Sequence, residues 1–536
     1  MSYMNRKVSL AEVAKHNSES DLWVVVDGLV LDVTRFAKAH PGGKGVLVGL
    51  GGRDVTGEFF DFHNKEVLEK YAPKLAIAVL DGVGGDPIAL SKCARSSFDV
   101  YTPFAESAAF RGWKSPYYTE RHARVKLAVR AFIHNELTPL LEGVEASNED
   151  PPQEAYLLMG KSGMMAARMG PSVISFVKEM KMSLPGGIAP DELDYFTRYI
   201  VNNEFYGNMP MGLVDGISAG INIGLPPILY FGNAAQKAKF VPPVLTGDKK
   251  ICLAISEPVG GSDVASLQTT AVRSPDGTHF IVNGLKKWIT GGTMADIFVT
   301  AVRTGGKGHN GLSFLVIERS PGVSTNRIKT SYSGAAGTAL VIFENVKVPV
   351  ENLLGKENAA FKMIMANFNH ERWLIVHSTL GMARNVVADC YKWAMARKAF
   401  GKRLIDQPVI RYKLAEMSAA VESLDAWAES ITYQMEKMPY AEQATKLGAS
   451  IALLKFHTTR TCVMVADNAC QIFGGRAVTK SGLGKPIEEF QRCYKIAAIY
   501  GGSEEVLADV AVRTTVAHLE ALIAKGDKKA IIMSRM

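Results

Sequence analysis

The apolar residues of this chain change period twice, and that change limits the folds open to it. From about Ser115 to Lys249 they recur at helical spacing, as in Arg121 to Phe132, interrupted by turn-forming stretches such as Leu184-Pro185-Gly186-Gly187. Between Ile251 and Pro349 the pattern becomes short β-branched runs, for example Phe280 to Asn283 and Ile297 to Val302, separated by Asp-Gly and Gly-Gly turns. Helical spacing returns from Ala359 to about Ala524, in segments long enough for an antiparallel bundle. A chain of 536 residues also exceeds what one hydrophobic core serves. The expected class is multidomain α+β: a compact unit over 1–82, a linker over 83–114 opened by Gly82-Val83-Gly84-Gly85-Asp86-Pro87, a helical domain over 115–249, a small β-barrel over 250–355, a helical bundle over 356–524 and a tail over 525–536.

Composition excludes several classes. With 47% hydrophobic residues the chain has ample core material and is not a disordered or fibrous one. No run approaches the roughly 18 uninterrupted apolar residues of a spanning helix, and Met1 to Arg6 has no apolar signal segment, so a soluble, non-exported protein without a membrane span is expected. Six cysteines (Cys93, Cys252, Cys390, Cys462, Cys470, Cys493) show no metal-binding spacing and read as reduced thiols. The net charge of +8 is modest and spread out; an anionic small ligand explains it as well as nucleic acid, which is not expected as a partner.

Within 1–82, Trp23 to Val33 alternates as a strand pair closed by an Asp-Gly turn, and His40-Pro41-Gly42-Gly43 follows it. A second histidine, His63, lies 23 residues later in Phe59-Phe60-Asp61-Phe62-His63. Alone, either histidine would be read as packing or capping. As a pair in apolar surroundings they suit an iron porphyrin, which needs two axial donors on opposite faces. The segment from about Val8 to Gly82 resembles cytochrome b5, and the resemblance implies a non-covalent b-type haem with His40 and His63 as iron ligands.

The stretch Gly306-Lys307-Gly308-His309-Asn310-Gly311 formally matches a dinucleotide-binding loop, but it lies between two strand-like runs rather than between strand and helix, and is expected to be a hairpin tip. More telling is Leu253 to Ser266, with Ser256-Glu257-Pro258-Val259-Gly260-Gly261-Ser262-Asp263 at its centre, followed by Lys286-Lys287-Trp288-Ile289-Thr290. Glycines let backbone amides approach a ligand, Ser262 and Thr290 offer hydroxyls, and Trp288 offers a flat face for a planar ring. From about residue 115 to 515 the chain resembles the acyl-CoA dehydrogenase family, whose Ser-Glu-Pro-x-x-Gly-Ser-Asp and Lys-x-Trp-Ile-Thr blocks these segments match. The resemblance implies an FAD flavoprotein acting on an acyl-CoA substrate, with an N-terminal helical domain, a middle β-barrel and a C-terminal helical bundle. It places Leu253, Ile255, Ser256, Trp288 and Thr290 along the flavin, and Ser262 at both flavin and CoA. Arg397-Lys398-Ala399-Phe400-Gly401-Lys402 with Gln407, and Gln471-Ile472-Phe473-Gly474-Gly475, match strips that meet the FAD of a neighbouring subunit, which implies a homodimer or homotetramer. Ser503 and Glu505 are further implied cofactor contacts. After Gly475 the sequence departs from the family, with Arg476 to Lys480 in place of the usual Asn-Gly and aromatic continuation.

Removing a proton beside a thioester requires a carboxylate facing the flavin. Many family members carry it in a Tyr-Glu-Gly-Thr block, where this chain reads Tyr500-Gly501-Gly502-Ser503. The subgroup that includes the isovaleryl and long-chain enzymes places its base before an arginine on a bundle helix, and this chain has Asn369-His370-Glu371-Arg372 there. The expectation is Glu371 as general base, with Asn369 and Arg372 holding CoA and the Gly501–Gly502 backbone at the thioester; Glu504 and Glu505 are weaker candidates. A haem on the same chain suggests single-electron transfer from FAD to haem. An external redox partner is not legible, and an oxidase using oxygen or a non-catalytic binding flavoprotein are the competing readings. The final Ser534-Arg535-Met536 resembles a peroxisomal address, making the peroxisome the expected compartment ahead of the cytoplasm.

Overall fold

The computed structural model describes residues 6–60, 63, 65–81 and 102–526. Cys93, most of the expected linker and the terminal tripeptide lie outside the described residues. The chain divides into two compact units, one of residues 1–106, 386–416 and 467–489 and one of residues 107–385, 417–466 and 490–536.

The first unit opens with a five-stranded sheet ordered β1-β5-β4-β3-β2, formed by β1 (Lys7–Val8), β2 (Asn17–Ser18), β3 (Asp21–Val26), β4 (Leu29–Asp32) and β5 (Ala76–Leu80). Asp27 and Gly28 both take positive φ (52° and 77°), the backbone of a two-residue turn, and they pair β3 with β4 from Val26–Leu29 to Trp23–Asp32. Alternation then sorts β3: Leu22, Val24 and Val26 join one core with Leu29, Leu31 and Val33, while Val25 and Val30 join a second on the other face. The helices α1 (Lys44–Val48), α2 (Thr56–Phe60) and α3 (Lys65–Leu75) follow between β4 and β5.

The second unit is helical, then β, then helical. Its N-terminal part includes α4 (Glu120–Phe132), α5 (Tyr195–Asn208), α6 (Gly220–Phe231) and α7 (Ala234–Leu245). The stretch Met211–Phe231 is long and apolar enough to cross a membrane by length and composition, a segment the count of uninterrupted apolar residues passes over because small and polar residues divide it; 89% of it is buried inside the protein, which makes it a core helix. The middle part is one eight-stranded sheet: β6 (Ile251–Ala254), β7 (Thr270–Arg273), β8 (His279–Ile289), β9 (Ile297–Arg303), β10 (Leu312–Glu318), β11 (Val323–Arg327), β12 (Ala339–Pro349) and β13 (Leu353–Leu354), ordered β11-β12-β8-β7-β9-β10-β13 with β6 parallel to β9. The Gly306–Gly311 stretch joins antiparallel β9 and β10 and is a hairpin tip. The long helices α8 (Ala360–Ala396), α9 (Pro408–Glu436) and α11 (Gly448–Phe473), with α10 (Tyr440–Lys446), α12 (Lys485–Ile499) and α13 (Glu504–Ala524), complete the fold. The described cysteines Cys252, Cys390, Cys462, Cys470 and Cys493 are free thiols.

Helices α4 and α5 are locked by a buried ion triad. Arg130 donates Nε and Nη2 to the two carboxylate oxygens of Glu204 at 2.7 and 2.9 Å, and Lys126 donates to the same carboxylate. Burial alone would raise the Glu204 carboxyl, but the two cations outweigh it and hold it well below its usual range. A depressed folded-state pKa contributes stability at neutral pH and loses it as pH falls through and below the ordinary value of 4.5. Glu204→Gln is therefore expected to cost about 3 kcal/mol in urea unfolding at pH 7, because it removes the anion that Lys126 and Arg130 both pair with, and the deficit should shrink as pH falls below 4.5; a constant deficit from pH 7 to 3 contradicts the assignment.

Candidate active site and haem site

In the first unit the loop after β4 positions His40. A Cβ on Gly42 would come within 2.9 Å of the His40 ring, so only glycine lets that ring lie where it does, and Gly43 takes φ 88°. His63 follows α2, and the two imidazoles lie 5.9 Å apart between centroids at 77°. That separation suits two rings on opposite sides of one iron with metal–nitrogen bonds of about 2 Å. Phe36 lies 5.9 Å from His40 and Phe59 4.9 Å from His63, and half-buried Leu47, Val48 and Leu50 add apolar wall. Burial, then the neighbouring His40, lowers the His63 pKa and favours the neutral imidazole that binds iron.

In the second unit, the end of β6 and β8 are joined into one platform. Lys286 is fully buried and donates to the Ile255 carbonyl at 3.0 Å and to Glu257 at 2.7 Å, while Lys287 N–H donates to the Ser256 carbonyl at 2.8 Å. Glu257 also accepts from the Gln268 and Thr269 N–H groups. This ties Ile255 and Ser256 to the end of β8 that leads into Trp288, while Leu253 lies on β6 opposite Val299 of β9. Trp288 has φ 67° and is 55% exposed, with Lys287 Nζ 4.6 Å from its ring centre. A bulky aromatic residue held in left-handed backbone with an open face is costly unless that face is used, and it fits the support of a planar cofactor ring. Ser262 is exposed on the loop beyond, where a side chain on Gly261 would meet nothing.

The remaining strips belong to the first unit and are brought together there. Trp393 stacks on Phe473 at 5.4 Å, donates Nε1 to the Ile472 carbonyl at 3.2 Å and lies under Arg476, which joins the end of α8 to the end of α11. Arg397 ends that stretch, and Phe400, at φ 53° and 98% exposed, tips the hairpin between β14 (Lys398–Ala399) and β15 (Lys402–Arg403). Gln407 starts α9; Gln471 and Gly475 are exposed.

The acidic centre lies where α8 meets the turn before α13. Arg372 donates Nε to the Gly501 carbonyl at 2.8 Å and Nη1 to Asn369 Oδ1 at 2.9 Å, and Asn369 donates to the Ala444 carbonyl at 3.1 Å. Lys455, fully buried, donates to the Gly502 carbonyl at 2.7 Å. Gly501 and Gly502 take φ 66° and 103°. A Cβ on Gly501 would strike Ile375 Cδ1 at 2.5 Å and would lie in ordinary contact with Glu371 Oε1 at 4.0 Å, so the Glu371 carboxylate sits beside position 501. Glu371 Oε2 is buried without a hydrogen-bond partner among the described residues. Burial, opposed by Arg372 and Lys455, pushes the Glu371 carboxyl up to about 7. Burial and then Arg372 bring Lys455 down to about 7. Ser503 caps α13 by accepting from the Val506 N–H; Glu504 is buried and Glu505 exposed in its first turn.

The sequence reading passed over Lys455. Its signal was a single lysine on an otherwise apolar helical face, between Ile451, Ala452 and Thr458, all buried. It also passed over Asp215, buried and hydrogen-bonded by Tyr206 at 2.6 Å and by Tyr332, and pushed up to about 7 by burial.

Comparison with known proteins agrees with this geometry. Residues 9–81 match the cytochrome b5-like haem/steroid binding domain, and 119–248, 252–346 and 358–515 match the N-terminal, middle and C-terminal domains of acyl-CoA dehydrogenase. The chain is 39% identical over 418 residues to the acyl-CoA dehydrogenase apdG of Emericella nidulans, covering 77% of this chain and 95% of that one. It is 30% identical over 400 residues to the mitochondrial short-chain specific acyl-CoA dehydrogenase of Bos taurus, covering 74% and 90%. Among solved structures it is similar to a probable acyl-CoA dehydrogenase from Mycobacterium abscessus, with 30% identity and a TM-score of 0.66 over 75% of this chain and 99% of that one. With the Trp288 platform, the Glu371 centre and the His40–His63 pair all in place, the chain belongs to the acyl-CoA dehydrogenase family of FAD flavoproteins and carries a haem-binding domain of cytochrome b5 type ahead of it.

Proposed function

We propose that this protein oxidises a fatty acyl-CoA to its trans-2-enoyl-CoA with Glu371 as the base, and that the two electrons leave the flavin one at a time through the haem on the same chain to a further one-electron acceptor. The observation that carries the reading is the Glu371 carboxylate, buried beside position 501 with its Oε2 lacking a partner among the described residues. A carboxyl held near 7 is half deprotonated at neutral pH and is strong enough to take a proton made acidic by the adjacent thioester. Arg372 and Lys455 each occupy a carbonyl of the Gly501–Gly502 turn, which fixes the turn's backbone and leaves Glu371 as the acidic group beside it. The Asn369–Arg372 pair stands at the same turn, placed to orient the polar end of the substrate. FAD supplies the hydride acceptor when bound along Trp288, Thr290, Ile255 and Ser256, and haem held by His40 and His63 accepts electrons one at a time. Fusion keeps haem at high effective concentration, which favours it over a freely diffusing acceptor.

Glu371→Gln is expected to lower turnover with a matched acyl-CoA by about 10²- to 10⁴-fold while FAD binding persists; retained turnover contradicts the assignment. In the native enzyme kcat/KM should fall as pH drops below about 7, where Glu371 takes up its proton. Lys455→Met, which removes a nearby cation that favours the carboxylate, should move that acidic limb upward by roughly one unit; an unmoved limb would show that Lys455 acts only on the backbone. On anaerobic mixing with substrate, flavin absorbance should bleach and the reduced haem band then rise. His63→Ala should abolish the haem spectrum yet leave flavin bleaching intact. Haem that stays oxidised after flavin bleaching refutes the proposed electron route.

A further inference from the structure

On the face of α8 next to Glu371, the interior holds polar groups that the proposed chemistry does not use. Arg198, on α5, is 1% exposed, and its guanidinium lies 5.8 Å over the Trp373 ring. Among the described residues its Nε and Nη2 have no hydrogen-bond partner. These two N–H groups lie along one edge of the guanidinium, the edge that grips a carboxylate with two parallel hydrogen bonds. Arg130 uses the same edge on Glu204 in this protein, at 2.7 and 2.9 Å. Around Arg198, both ring nitrogens of His370, both of His377 and the Tyr440 hydroxyl are likewise buried without a partner among the described residues. His370 and His377 are fully or almost fully buried, and burial followed by the charge of Arg198 keeps both neutral, so each retains an N–H to donate.

Seven unmatched polar atoms on four neighbouring side chains are far more than a native interior leaves unexplained. Three of the aromatic neighbours are satisfied: Trp373 donates to Thr432 at 3.0 Å, Tyr199 donates to Asp425, and Tyr195 accepts from Gln443 at 3.2 Å. A buried guanidinium without a counter-ion costs several kcal/mol, and a bound anion removes that cost. His370 directly precedes Glu371, so the cluster starts one residue along α8 from the base and about 100° around it. Tyr440, 6.2 Å from the His370 ring, stacks on Tyr230 at 3.5 Å, and both tyrosines are half-buried.

We infer that Arg198, with His370, His377 and Tyr440, binds a carboxylate at the far end of the substrate's acyl chain, which makes an acyl-CoA with a terminal carboxyl group the preferred substrate class. The inference rests on Glu371 being the base. It is tested with the full-length holoenzyme and paired CoA thioesters of graded length, one ending in methyl and its partner in carboxylate, reading kcat/KM by dye reduction and flavin bleaching. At one length the carboxylate-ended thioester should be favoured by at least about 10-fold, and Arg198→Met should collapse that ratio by about 10- to 100-fold, the range for one charge-assisted pair. If methyl-ended thioesters bleach FAD and no length favours the carboxylate, this inference fails while the proposed function stands. If no thioester of either kind bleaches FAD, the proposed function fails and this one with it. Should free acetate or glutarate raise the Tm of the native protein and not of Arg198→Met, with no tail preference, the site binds a free carboxylate and the substrate assignment is overturned. Where Arg198→Met does not fold, the tail preference of the native enzyme decides the question by itself.

Discussion

The active centre depends on one crowded turn. Gly501 and Gly502 adopt positive φ because their carbonyls are held by Arg372 from α8 and Lys455 from α11, two cations reaching it from different helices. A turn pinned this way has no room for a side chain at 501, where a Cβ would strike Ile375. The space beside the turn is left to Glu371, whose carboxylate arrives from α8.

Electrostatics at this centre is tuned by burial more than by pairing. Glu371 is raised and Lys455 lowered toward a common value near 7, each mainly by loss of water, and each opposed by the other's charge. A helix-borne carboxylate in water would be fully ionised and a poor base; a carboxylate paired tightly to Arg372 would be poorer still. Arg372 is instead committed to the Gly501 carbonyl and to Asn369, so its charge helps hold the turn. The flavin platform uses the opposite arrangement. Lys286 and Glu257 form a dry ion pair whose hydrogen bonds tie the Ile255 to Glu257 backbone to β8 and hold Trp288 in its strained backbone.

The haem module solves a separate problem with separate parts. Its sheet is specified locally, by a two-residue turn and strict alternation, and His40 and His63, the proposed iron ligands, sit on the connections between elements rather than in the sheet. A rigid sheet with ligands on adjoining loops and helices suits an electron carrier, whose metal coordination is complete and whose surroundings change little on reduction.

Much of this was legible in the sequence because it depends on neighbours in the chain. The change from helical to strand periodicity marked the helical and β regions, Asp27-Gly28 marked its hairpin, and the rejection of Gly306 to Gly311 as a nucleotide loop followed from strands on both sides of it. The family motifs pointed to the segments around Trp288, Gly501 and Glu371 as the proposed site, and the structure brings Gly501 and Glu371 together. Lys455 and the Arg198 cluster were not legible as parts of a site, because a lone lysine or arginine on an apolar face shows only that it is buried; its partners lie far off in the chain and only the packed helices bring them within reach. The sequence alone determined which elements form and which residues could carry chemistry. The tertiary structure decided which charges are stripped of water and left facing one another, since desolvation and pairing are properties of the packed interior and not of any segment of the chain.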